Sequence, residues 1–253
     1  MIDALRAVVR DHEASRPRSV QKAIGPSEAG TPCARRLAYR MLGVDPVNTG
    51  TDPWAAIVGT SVHAWLDDAF STANNALPEP RWATSLRVTL PGYMAGTIDL
   101  FDDLTKTVID FKVVGSTTMK RVKAGVISEQ YKTQAHLYAT GLRLAGHRVD
   151  AVGLMFWAKS GQLKDAVYWT EPYDEDVTER ALARIDALKS TVDALGDAAL
   201  ELIPTSDGYC FYCPFFLPAV TDATVGCPGH EDHRIPARTL AADATTQPTK
   251  GTS

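Results

Sequence analysis

Gly96-Thr97-Ile98-Asp99 and Val108-Ile109-Asp110-Phe111-Lys112 read as two short strands joined by the polar turn Asp102-Asp103-Leu104-Thr105-Lys106. With the turn centred on Leu104–Thr105, antiparallel register sets Asp99 directly opposite Asp110. Like charges in opposed positions destabilise a sheet. Period-two alternation also puts Asp110 and Lys112 on one face, while Ile109, Phe111 and Val113 point to the other. Two facing carboxylates and a lysine beside an apolar core call for a cation to reconcile them. Carboxylate oxygens suit a hard divalent ion such as Mg²⁺ or Mn²⁺, and the chemistry such an ion performs in proteins is centred on phosphate. For Asp102 and Asp103 the simpler reading is a turn with solvated side chains.

The elements on either side suggest an α/β domain built on a mixed sheet with helices packed on it. Residues 82–90, 93–101 and 107–114 alternate like strands. Residues 2–14 read as a short amphipathic helix, followed by a polar connection to about residue 30. Thr31-Pro32 is a helix start, with Pro at the first position, and Gly43 a stop. Asp52-Pro53 opens a longer helix whose apolar residues Val58, Val62, Trp65, Leu66, Ala69 and Phe70 follow helical spacing. Residues 119–145 form a helix that Gly125 is able to interrupt. Strands follow at 149–158 and 163–170, then a helix over 174–199 with Ile185, Leu188, Val192 and Leu195 on one stripe. Residues 204–233 are rich in Cys, Pro and aromatics without a period, as in a lobe organised by a ligand. The Ala/Thr/Asp/Pro composition of residues 234–253 predicts disorder. The expected domains are therefore 1–30 (helix and connection), 31–203 (core), 204–233 (Cys-rich lobe) and 234–253 (tail).

Of the 253 residues 45% are hydrophobic and 22% charged, the proportions of an ordinary globular protein. No run approaches a membrane span and no signal-peptide core opens the chain, so a cytoplasmic protein is expected. The net charge of −4 argues against a general nucleic-acid binder, but charge is uneven. Between Lys112 and Arg148 stand seven Lys/Arg and one acid, Glu129, about +6 in all. Arg35, Arg36 and Arg40 form a second basic knot. Positive charge around a carboxylate pocket suits a polyanion such as DNA, and Arg35, Arg36, Lys120, Arg121, Lys123 and Lys132 are the candidate contacts.

His63 lies on the helix after Asp52-Pro53, at the edge of its apolar face. Gln134 and Tyr138 stand at i and i+4, with Tyr131 one turn earlier, and would lay a polar row against the sheet. The four cysteines are Cys33, far upstream, then Cys210 and Cys213 at chelate spacing and Cys227. In a reducing compartment these are thiols or metal ligands. Four thiolates suit Zn²⁺ or an iron–sulfur cluster, and spacing alone does not choose. Tyr209, Phe211, Tyr212, Phe215 and Phe216 would shield a cluster from water; His230 and His233 keep a Cys/His zinc site open.

Taken in order, these residues resemble the RecB-type branch of the PD-(D/E)xK nuclease superfamily, within it the iron–sulfur exonucleases similar to the CRISPR-associated RecB-like nucleases. The resemblance spans residues 27–228: Cys33 in Cys-x-Arg-Arg, Gly59…His63, Gly96-x-x-Asp99, Asp110-x-Lys112, Gln134-x₃-Tyr138, then three cysteines. It implies a restriction-endonuclease-like mixed sheet flanked by helices, with a C-terminal cysteine-rich metal-cluster lobe. It further implies a Mg²⁺- or Mn²⁺-dependent DNA exonuclease acting on free ends. His63, Asp99, Asp110 and the Phe111 backbone carbonyl would be metal ligands. Lys112 would position the attacking water, and Gln134 with Tyr138 would complete the catalytic set. Cys33, Cys210, Cys213 and Cys227 would hold a [4Fe–4S] cluster, with Zn²⁺ as the alternative. A helicase, recombinase or other DNA-processing protein is the implied partner, in recombination, repair or phage replication. A non-catalytic DNA-binding or assembly module of the same fold, or a zinc-stabilised DNA-processing protein, are the competing readings. The thirteen residues between Cys213 and Cys227 are more than such proteins usually have.

Overall fold

The computed structural model describes residues 1–15, 24–48, 52–90, 92, 94–206 and 210–231. In chain order its elements are α1 (Ile2–Ala14), α2 (Pro26–Ala29), α3 (Ala34–Leu42), α4 (Trp54–Ala73), β1 (Trp82–Thr89), β2 (Ala95–Asp102), β3 (Thr107–Val114), α5 (Ser116–Lys123), α6 (Glu129–Leu144), β4 (Ala151–Ala158), β5 (Val167–Pro172), α7 (Glu175–Leu195) and α8 (Ala199–Leu202), with short 3₁₀ turns between some of them. The chain divides into two compact units. One takes Met1–Gly30 and Asp52–Ala187, the other Thr31–Thr51 and the chain from Leu188 onward.

The first unit is built on one five-stranded sheet in the order β1-β2-β3-β4-β5. Only β3 and β4 run parallel, joined through α5 and α6, so the sheet is mixed and helix-flanked as expected. The hairpin register is the one read from the turn: Leu100 faces Ile109, Phe101 faces Val108 and Asp102 faces Thr107. Extending it by one residue sets Asp99 across from Asp110, and there the ladder stops. The β1–β2 ladder is interrupted at the same place. It pairs residues on both sides but not Ser85 with Asp99, and Ser85 has a left-handed backbone (φ 53°). A break of this kind re-aims a side chain that a regular strand would point along the pleat.

β3 is buried on both faces. Val108 and Val114 pack towards Ala135, Tyr138 and Ala139 of α6, while Ile109 and Phe111 pack with Leu100 against Leu66 and Phe70 of α4. Ring contacts join Phe111 to Phe70 (centroids 5.6 Å apart) and to Trp157 (6.4 Å). This aromatic seam holds α4 over the middle of the sheet, which is why a helix distant in sequence reaches the hairpin.

In the second unit Tyr39 of α3 stacks on Phe215 (4.8 Å) and its hydroxyl donates to the Ala223 carbonyl. Ala38, Val192, Leu200, Phe216 and three of the cysteines complete the core. Burial, with Cys227 adding to it and Arg35 opposing, raises the Tyr39 phenol well above its ordinary range.

Several expectations need correction. α3 begins at Ala34 with Cys33 as the N-cap residue, not at Thr31-Pro32. Thr31 is buried and its hydroxyl has no partner among the described residues, so it caps nothing. The 119–145 helix is two helices, parted at Gly125 (φ 79°), and the first starts earlier, at Ser116. β5 starts four residues late because Leu163–Asp165 form a 3₁₀ turn closed by a Gln162–Asp165 capping box. α7 stops at Leu195, before Gly196 in a left-handed conformation (φ 54°). Trp65 and Leu195, placed on apolar stripes, are exposed. Asp102 is not solvated. It is buried, forks onto Arg81 Nε (2.8 Å) and an Arg81 terminal nitrogen (2.7 Å), and accepts bonds from Thr105 Oγ1 and the Leu104 N–H. Asp103 does remain outside, paired with Lys106. No helix among the described residues is long and apolar enough to cross a membrane. The tail over 234–253, His233 and Tyr209 lie outside the described residues.

Candidate active site

One cleft of about 650 Å³ is lined by His63, Asp99, Asp110, Phe111, Lys112, Gln134 and Tyr138, together with Gly59, Thr60, Arg87, Gly96 and Thr97. The structure thus brings together on one surface residues drawn from α4, β2, β3 and α6.

Asp110 and Lys112 share the face of β3 turned towards α6. Lys112 Nζ stands 2.6 Å from Asp110 Oδ2 and donates to Gln134 Oε1 (2.7 Å). Gln134 Nε2 returns a bond to Asp110 Oδ1 (2.9 Å) and another to the Tyr138 hydroxyl (3.2 Å). An amide is the side chain that offers an acceptor to a cation and a donor to an anion at once. Turning the Gln134 amide over would oppose both contacts. The ammonium also sits over the Tyr131 ring, 4.8 Å from its centroid.

Asp99 faces the other way. Its Oδ2 accepts the Phe111 N–H (2.7 Å), taking the place of the lost ladder bond, and its Oδ1 meets His63 Nδ1 at 3.0 Å. His63 packs edge-on to Phe111 (6.1 Å). Gly96 explains itself by proximity. A Cβ there would lie 2.6 Å from Tyr138 Cε1 and 3.1 Å from Pro26 Cγ, so only glycine lets β2 approach α6 this closely.

Burial pushes the Asp110 carboxyl up to about 6; Lys112 opposes this, Asp99 reinforces it, and the Lys112 hydrogen bond and His63 also oppose it. Apart from the Lys112 ion pair, Asp110 Oδ2 is shut off from water and no donor meets it with good hydrogen-bond geometry. A buried acceptor left in that state is a place for a cation. As the side chains lie, no three His, Cys, Asp or Glu among the described residues are close enough to grip one ion.

The basic residues expected to flank the acids do not line the cleft. Arg35 is spent inside the second unit, its guanidinium donating to the Ile203 (2.8 Å) and Glu201 (3.3 Å) carbonyls. Arg36 lines the cysteine cavity. Lys123 pairs with Asp165 (3.5 Å), and Lys132 with Glu129 (3.3 Å) while lying over Trp169. Lys120 and Arg121 are exposed on α5. Arg87 and Thr97, which the sequence did not single out, do line the cleft. Their signal was available in the alternation of β1 and β2, which turns both residues outward.

All four cysteines are free thiols, and all four line one cavity of about 20 Å³ in the second unit with Arg36, Tyr39, Ser206, Phe216 and Gly229. Backbone N–H groups point at their sulfurs: His230 at Cys210 (3.4 Å), Phe215 at Cys213 and Gly229 at Cys227. Burial raises the Cys213 and Cys227 thiols, while those N–H groups and the nearby arginines Arg36 and Arg35 pull the other way.

No protein family matches the sequence, and no curated protein is significantly similar to it. Among solved structures the chain resembles SSO0001, at 18% identity over 85% of this chain and 94% of that one, with a TM-score of 0.50. The fold is shared. An alkaline exonuclease, LHK-Exo, from Laribacter hongkongensis aligns more loosely (12% identity, 72% of this chain and 91% of that one, TM-score 0.49). So does a phage-related exonuclease from Haemophilus somnus 129PT (13% identity, 67% and 80%, TM-score 0.42).

Proposed function

We propose that this chain is a metal-dependent deoxyribonuclease that hydrolyses DNA phosphodiesters from strand ends, with its four cysteines holding a structural iron–sulfur cluster. The observation that carries the hydrolase reading is the array Lys112–Gln134–Asp110 beside His63–Asp99, all open to one cleft. The preference for DNA and for ends comes from the resemblance of the motifs.

His63, Asp99, Asp110 and the Phe111 carbonyl would hold Mg²⁺ or Mn²⁺. Two carboxylates, Asp110 Oδ2 among their oxygens, and an imidazole are donors of the kind a hard cation takes, and that cation would supply Lewis acidity and a more acidic bound water. The rest falls to the chain. Asp110 and Gln134 hold the Lys112 ammonium aimed along the cleft, where negative charge would grow on the phosphate oxygens. The Phe111 N–H fixes Asp99, and Asp99 in turn fixes the His63 ring. Mg²⁺- or Mn²⁺-dependent digestion of linear and circular DNA tests this reading. Wild type is expected to consume linear DNA in preference, and Lys112→Ala to lose activity by about a hundredfold or more. Equal digestion by both proteins would remove Lys112 from the mechanism, and none by either would remove the nuclease.

The cluster reading is supported by four thiols around one cavity and by backbone N–H donors aimed at the Cys210, Cys213 and Cys227 sulfurs, which oppose the burial that raises the Cys213 and Cys227 thiols. Anaerobically purified protein is expected to be brown, absorbing near roughly 400 nm. A colourless protein with stoichiometric zinc would replace the cluster with Zn²⁺.

A further inference from the structure

The cleft contains a guanidinium that the scheme above leaves idle. Arg87 of β1 is exposed, lines the cleft, and makes no hydrogen bond or ion pair among the described residues. Lys112, the other cationic side chain there, is committed to Asp110 and Gln134, and the His63 ring is held by Asp99. Directly across the β1–β2 ladder from Arg87 is Thr97, also exposed and also lining the cleft. Opposed residues of an antiparallel pair project from the same face with Cβ atoms about 5 Å apart. The guanidinium and the hydroxyl therefore stand side by side over open space. Thr97 precedes Asp99 by two residues, about 7 Å along a strand.

A strand of nucleic acid entering this cleft meets carboxylates at Asp99, Asp110 and Glu13. It needs a cation that is not already neutralised. Guanidinium is the group whose planar fork matches two oxygens of a phosphate, and a neighbouring hydroxyl adds a third donor. We propose that Arg87, assisted by Thr97, binds a phosphate of the substrate strand adjacent to the one hydrolysed. The position relative to hydrolysis rests on the nuclease reading; the phosphate contact itself does not.

The test measures binding without turnover. Single-stranded oligonucleotides with a 3′ fluorophore and either a 5′-phosphate or a 5′-hydroxyl are titrated, in EDTA, with wild type, Arg87→Ala and Arg87→Lys over a series of salt concentrations. Arg87→Ala is expected to bind about ten- to a hundredfold more weakly. The slope of log K against log salt should fall by about 0.7. Arg87→Lys should keep the slope and fall between the two in affinity, since it restores the charge but not the fork. With Mn²⁺ present, KM should rise more than kcat falls. A loss on both oligonucleotides assigns the contact to an internal phosphodiester; a loss confined to the 5′-phosphorylated one assigns it to the terminal phosphate. Arg87→Ala with wild-type affinity and salt slope overturns the proposal, even if wild type digests DNA. A lost slope in a protein that digests nothing would leave the proposal standing and defeat the nuclease reading instead. Because Arg87 is exposed, its melting temperature should not move, which separates a lost contact from a lost fold.

Discussion

Replacing Gln134 with Leu probes the array at the residue that joins its two charges. Gln134 is 5% exposed, so a leucine of similar volume takes its place without meeting solvent. It removes the acceptor 2.7 Å from Lys112 Nζ and the donor 2.9 Å from Asp110 Oδ1. A hydrogen bond to a charged group is worth about 1.5–3 kcal/mol. Two are lost, but the 2.6 Å Lys112–Asp110 contact survives and recovers part of the cost. The metal-free protein should therefore lose about 2–4 kcal/mol, a large share of the total for a single domain. Urea denaturation at neutral pH reads this directly. Activity should fall by about a hundredfold, because the ammonium is free to settle wholly onto Asp110 and leave the cleft. Gln134→Glu keeps an acceptor for Lys112 but sets a third carboxylate beside Asp110, and should be the worse variant above pH 6, near the elevated Asp110 value. A Gln134→Leu protein within about 0.5 kcal/mol of wild type, and equally active, would show that Lys112 and Asp110 balance each other without the amide.

Three other outcomes are expected. Asp110, lifted to about 6 by burial, holds a proton in the folded protein that it gives up near pH 4 when unfolded. Its contribution is then fully present below about pH 4 and is lost as pH rises through about 6. The metal-free protein should melt at a lower temperature at neutral pH than at about pH 5, and Asp110→Asn should flatten that dependence. Gly96→Ala drives a methyl to 2.6 Å from Tyr138, which should cost about 1–3 kcal/mol and show as a melting shift of a few degrees. Asp102→Ala strands Arg81 and frees the Thr105–Leu104 turn, which should cost about 2–4 kcal/mol by urea denaturation. In the wild type, burial pushes the Asp102 carboxyl up but the Arg81, Thr105 and Leu104 bonds outweigh it and hold it below its usual range. That support is present at neutral pH and lost as pH falls through the lowered value, so the acid-side stability loss should shrink in the variant.

What could be read from the chain alone was whatever neighbours along the chain decide. The turn between Asp102 and Thr107 sets the hairpin register from Leu100–Ile109 onward, because a two-residue side-chain period leaves no other choice once the turn is centred. The ladder breaks before Asp99, however, whose side chain turns to His63 instead of meeting Asp110. Gly125 parts α5 from α6 where the backbone has to turn left-handed. The same alternation set Asp110 and Lys112 together, and helical spacing set Gln134 beneath Tyr138. Contacts between distant segments decided the rest. Thr31-Pro32 carries a local start signal, yet α3 begins at Ala34, with Cys33 as its N-cap residue in one cavity with Cys210, Cys213 and Cys227. Asp102 looked solvated until Arg81, 21 residues upstream, closed on it. The run of lysines after Lys112 has a charge that is plain in the sequence, but helix geometry turns it away from the cleft, while the strand pairing of Arg87 with Thr97 supplies the cation there. Which face a side chain occupies is a local matter; which partner it meets depends on how segments with no common period pack, and no short-range rule encodes that.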